Sequence, residues 1–121
     1  MLSLPDDYKL IEFFEAEPEL LDGEAKPWIY NELKFTTIRG KDKLIVTIYP
    51  SFGELTINWV KSGEQLIKLK FIELDSLYVE IQKNDEFLSA VGIVLGQSML
   101  LKLRLKPNIS IEVSQEYSSR L

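Results

Sequence analysis

Two absences narrow the chemistry open to this chain. Its 121 residues include no histidine and no cysteine. Imidazole-assisted nucleophiles, most zinc sites and every thiolate site are therefore disfavoured. What remains are carboxylate pairs, Ser–Lys arrangements, Tyr or Lys bases and oxygen-ligated metals. Glu32, Glu54, Asp75 and Glu80 are the acids outside the predicted helix that could form a pair, but no spacing singles out two of them. Acids on strands usually face water or pair with a base across the sheet. Glu80 opposite Lys68, and Glu112 opposite Arg104, would fit that role. The sequence has no glycine-rich phosphate loop, dinucleotide fingerprint, calcium-loop spacing or nucleophile elbow. The reading favours a non-catalytic chain over an enzyme without histidine, with no cofactor and no bound metal.

Charge points instead to binding. Residues 1–25 hold eight acids against Lys9 alone, so the rest of the chain carries a slight positive balance within a net charge of −5. Glu15, Glu17, Glu19 and Glu24 lie in this acidic first quarter, which is either a solvated surface or one that attracts a basic partner. Trp28 and Tyr30, between Pro27 and Asn31, form an aromatic segment in an irregular stretch next to it. Such rings serve as core anchors or as interface anchors. Phe52, in a predicted turn, is a further interface candidate. Lys68, Lys70, Lys102, Arg104 and Lys106 fall on the wet face of predicted strands. No exposed aromatics interleave with them, so nucleic acid is not expected as a partner.

The elements that must position these residues follow from periodicity. Ser3 can cap a helix, Pro5 sits in its first turn, and Leu4, Tyr8, Leu10, Ile11 and Phe14 share one face. Phe13 falls outside that arc, and Pro18 is expected to stop the helix near Ala16 or Glu17. After Glu32 the period changes to two, with turn residues recurring about every ten positions. Strands are predicted at 32–38, 43–49, 54–61, 65–73, 76–83, 86–95, 99–106 and 109–115, with the 74–75 joint the weakest. One face is apolar and the other polar, the antiparallel pattern, while 86–95 is apolar on both faces and should be covered twice, by the helix or the Trp28 loop. Gly92, alone in mid-strand, marks a bulge or a close approach.

Leu4-Pro5-Asp6-Asp7-Tyr8-Lys9 resembles a segment found in the SUKH superfamily of bacterial immunity and regulatory proteins, an α+β group. The similarity spans six residues. The asparagine–glycine-glycine segment that should follow the helix is replaced by Phe13-Phe14-Glu15-Ala16 running to Pro18.

Together these readings give a single α+β domain over 1–121, with an N-terminal helix packed on a curved antiparallel β-meander of about eight strands. The strand pattern allows an open sheet or a barrel. The expected function is a protein-interaction module of the immunity or antitoxin type, with a basic protein as partner. The alternatives are a small-ligand carrier using the concave face of the sheet and an uncharacterised structural domain. The N-terminus lacks a basic stretch and an apolar run, and no window has enough apolar residues to span a membrane, so a cytoplasmic protein with no membrane partner is expected. An unpaired edge at 109–115 would allow a homodimer.

Overall fold

The computed structural model describes residues 2–23 and 27–116. A helix, α1 (Asp7–Phe14), leads into eight strands: β1 (Glu19–Leu20), β2 (Leu33–Arg39), β3 (Asp42–Tyr49), β4 (Glu54–Lys61), β5 (Glu64–Gln82), β6 (Asp85–Val94), β7 (Gln97–Arg104) and β8 (Ser110–Gln115). Each strand pairs antiparallel with the next, in the order β1 to β8, and the ends do not join, so the sheet is open rather than a barrel. The predicted α+β meander of about eight strands, curved behind one helix, is the observed architecture.

The count of eight conceals two differences. The two-residue β1 lies in a stretch read as a loop, held there by the pairing of Leu20 with Leu33. The strands predicted at 65–73 and 76–83 are one continuous strand, β5, with a bend where the weak joint was placed. At that bend Ile72 pairs with Ile93 and Ser76 with Val91, so residues 73–75 stand against Gly92 alone. Glu73 takes a left-handed conformation, φ 49°. The Leu74 N–H then leaves the ladder and donates to the Gly53 carbonyl at 2.9 Å. Surplus residues opposite a single partner bend a strand and raise its twist. The bulge thus folds the sheet into two halves that face each other.

The inner faces of both halves form one core. Leu33, Phe35, Leu44, Val46 and Ile57 from the first half and Leu88, Ala90, Leu101 and Leu103 from the second are all fully buried. In the first half, Phe35 pairs with Val46 and Val46 with Ile57, so equivalent inward positions stay in register across three strands. The alternation that predicted the dry face therefore holds. Trp59, in phase with the buried Leu55 and Ile57, is only half-buried and donates its indole N–H to Asp42 at 3.0 Å.

Helix α1 lies in the trough and touches β2, β5 and β6. Its N-cap is Asp6, not Ser3, and it ends at Glu15, which turns into the left-handed region, φ 55°, three residues before Pro18. Leu10, Phe13 and Phe14 are buried, whereas Tyr8 is exposed. Phe13 is thus buried although it falls outside the helical arc, and Tyr8 is exposed although it falls within it. A helix with sheet on both flanks buries whichever side chains meet the trough walls, not those nearest one plane. Phe14 stacks on Phe35 at 4.2 Å between centroids, Phe13 meets Phe14 edge-on at 5.0 Å, and Trp28 meets Phe35 edge-on at 6.2 Å. Each such pair adds about 0.5–1.5 kcal/mol to the area it buries. The helix covers the inner side of β6, but the outer side is shielded by neighbouring side chains such as Lys102 over the Phe87 ring, not by the Trp28 loop.

A Cβ at Gly92 would lie 3.0 Å from the Ile72 carbonyl oxygen, 3.0 Å from Leu74 Cδ2 and 3.3 Å from Phe71 Cβ. The backbone oxygen at the bend has little room to retreat. Gly92→Ala should therefore cost about 1 kcal/mol and Gly92→Val about 3 kcal/mol, the cost of overpacking exceeding the entropic gain of losing a glycine. Urea denaturation checks this: the midpoint should fall in that order with unchanged slope. An unshifted midpoint for the valine variant would show that the bend tolerates a side chain.

Candidate functional site

The sequence candidates divide between a structural clasp and one end of the sheet. Glu15 belongs to the clasp. Its carboxylate accepts from Arg39 Nη2 at 3.1 Å and meets Lys106 Nζ at 3.3 Å. Arg39 ends β2 and Lys106 follows β7, so Glu15 bridges the two sheet halves from the end of the helix. The hydrogen bond and charge of Lys106, followed by the charge of Arg39, hold its carboxyl below the ordinary value of 4.5.

Glu17 and Glu19 are exposed, and Glu19 stands opposite Lys34 on β2. Glu24 lies outside the described residues. Trp28 is half-buried against Phe35, whereas Tyr30 keeps 57% of its surface exposed. The loop between β1 and β2 is organised by Asn31, itself 5% exposed. Its Oδ1 accepts from the Asp22 N–H at 3.1 Å and the Glu32 N–H at 3.0 Å, while Nδ2 donates to the Gly23 carbonyl at 3.1 Å. A buried amide so fully used replaces ladder bonds that the loop lacks.

This loop meets the turn between β3 and β4, Pro50–Phe52. The Ser51 hydroxyl donates to the Ile29 carbonyl at 3.0 Å. Tyr30 and Phe52, the latter 75% exposed, thereby come to one end of the sheet. Leu21, 69% exposed, joins them because its N–H donates to the Glu32 carbonyl at 3.2 Å. On the outer face behind them Tyr49 stands opposite Glu54. Contact with Glu32, then partial burial and the charges of Glu32 and Glu54, push the Tyr49 hydroxyl above its usual 10.0. In the sequence Tyr30 and Phe52 are separate candidates, and nothing local joins them. Leu21 gave no signal beyond being apolar in an irregular stretch.

Of the four acids considered for catalysis, Glu32 and Glu54 both lie against Tyr49. Glu54 pairs with Lys70 at 3.6 Å, Glu80 accepts from the Ser89 hydroxyl at 2.8 Å, and Asp75 is exposed at the β5 bend. Two cross-strand expectations fail: Glu80 bonds Ser89 rather than Lys68, and Glu112 stands opposite Lys102, while Arg104 pairs with Asp85 at 3.5 Å. The register decides these partners, and a sequence pattern does not specify it to the residue. The concave face, which a carrier would keep open for ligand, is filled by Leu10, Phe13 and Phe14. A surface groove of about 290 Å³ remains between α1 and the β5–β6 hairpin, lined by Tyr8, Lys9, Glu12, Val79, Ile81 and Glu86. Among the described residues, no three acids are grouped to hold a metal ion, and no helix is long and apolar enough to cross a membrane.

No family model and no curated protein matches the chain. Among solved structures, a chain of the contact-dependent growth inhibition toxin–immunity protein complex from Klebsiella pneumoniae 342 shares the fold. The TM-score is 0.76 over 93% of this chain and 95% of that one, at 15% identity. The likeness runs nearly end to end and is one of fold.

Glu15 supplies a test of the clasp. A carboxyl whose pKa is depressed on folding stabilises the fold above its unfolded value and loses that contribution as pH falls through the folded value. The stability lost in Glu15→Gln should therefore be present at pH 7 and shrink as pH falls below about 4.5. Paired denaturation curves from pH 7 to pH 3 check it, and a difference that does not change with pH would reject the ionic clasp.

Proposed function

We propose that this chain is a non-catalytic protein-binding module of the immunity type, which holds a basic protein and blocks its action. The observation that carries the reading is the nearly full-length fold correspondence with a chain of a toxin–immunity protein complex. The acidic first quarter, with Glu17, Glu19 and Glu24, and the loop bearing Trp28 and Tyr30 form the proposed contact region. Glu15 is spent on the clasp and plays an indirect part. Exposed acids such as Glu17 and Glu19 attract a basic partner and raise its association rate, and salt weakens the effect.

Two measurements test the reading. The tagged chain, recovered from its own cells, should retain a basic protein whose separate production arrests growth, with growth restored when both are produced together. A retained protein without toxicity would reject the immunity reading. Reversing Glu17, Glu19 and Glu24 to Lys should slow association several-fold and flatten its salt dependence, because rim charges act mainly on the on-rate. An unchanged rate would remove the acidic region from the contact.

A further inference from the structure

We propose that the end of the sheet carrying Leu21, Tyr30 and Phe52 is the docking surface for this partner, with these three side chains as its anchors. The inference rests on the protein-binding reading and moves its centre from the acidic helix side to the meeting of two turns.

Three observations support it. First, these are large apolar groups left in water on one end of the molecule, with exposures of 69%, 57% and 75%. Folding does not require Phe52 to protrude, since Pro50 beside it is buried and anchors the turn. Clustered apolar exposure of this kind marks a contact site, and aromatic anchors dominate protein interfaces.

Second, the side chains protrude from fixed backbone. Gly53 donates to the Pro50 carbonyl at 3.2 Å and accepts from Leu74 at 2.9 Å, while Ser51 holds Ile29. Tyr30 donates its N–H to the Pro27 carbonyl at 3.0 Å and precedes the buried Asn31. Anchors presented on immobilised turns lose little entropy on binding.

Third, the surroundings are acidic, which selects the occupant. Glu32 and Glu54 lie behind the anchors, and Glu73 and Asp75 stand exposed at the bend that the Leu74–Gly53 bond draws beside Phe52. Lys70 is paired with Glu54, and Lys34 faces Glu19. Charge complementarity therefore fits a basic protein surface with pockets for two aromatic rings and a leucine. The same acids would repel a nucleic acid backbone or an anionic membrane.

Photocrosslinking in the source cells tests the surface, using chains with benzoylphenylalanine in place of Phe52 or Tyr30. The same group in place of Ile38 and Ile81 probes exposed apolar positions elsewhere, at the far end of β2 and beside the helix groove. Positions 52 and 30 should give an adduct with one basic protein, and positions 38 and 81 none. With that protein purified, Phe52→Ala and Tyr30→Ala should each weaken binding at least about tenfold without shifting the denaturation midpoint. Adducts confined to position 38 or 81, or unchanged affinity in both alanine variants, would overturn this surface while leaving the protein-binding reading intact. No adduct at any position, together with no protein retained by the wild-type chain, would overturn both.

Discussion

The bend in β5 is the constraint on which the rest of the structure depends. Eight strands laid flat would span roughly 38 Å at about 4.8 Å apiece, and an eight-residue helix is only about 12 Å long and 10–12 Å wide. Such a helix could not cover a flat sheet, and most of the apolar face would stay wet. Two surplus residues opposite Gly92 remove the problem by turning the second half of the sheet toward the first. Leu44 and Val46 are then buried within the same core as Leu101 and Leu103, and the helix fills only the trough between the halves.

That geometry also sorts the acidic first quarter into two kinds of charge. At the end of α1, Glu15 falls between the end of β2 and the segment that follows β7. There it joins Arg39 to Lys106 across the two halves of the sheet. An exposed ion pair of this kind contributes little by itself, but this carboxylate meets two bases from opposite halves. Glu17 and Glu19, a few residues on, have left the trough and remain at the surface.

At the bend, the fold meets the proposed docking surface. The Leu74 N–H, expelled from the ladder by the bulge, finds its acceptor on Gly53, so the element that bends the sheet also fixes the turn that exposes Phe52. Asn31 performs the equivalent task for the loop bearing Tyr30. Rigid turns at the end of two packed half-sheets would offer the proposed partner a surface that need not order itself on contact. Among the described residues, the strand acids Glu54, Glu80 and Asp85 are engaged by Lys70, Ser89 and Arg104.

Local periodicity carries a large part of this fold. Alternation from Leu33 onward set most strands and their dry face. Glycines and asparagine set the turns, and the missing imidazole and thiol removed whole classes of chemistry. Tertiary structure decided the rest: the fusion of two predicted strands into β5, the pairing that creates β1, the burial of Phe13 instead of Tyr8, the partners of Glu15 and Glu80, and the meeting of Leu21, Tyr30 and Phe52. Each of these depends on residues 9 to 91 positions apart being brought together by strand pairing and by the curvature of the sheet. That curvature arises where a left-handed Glu73 meets a glycine on the neighbouring strand, and no window short enough to read as a period contains both.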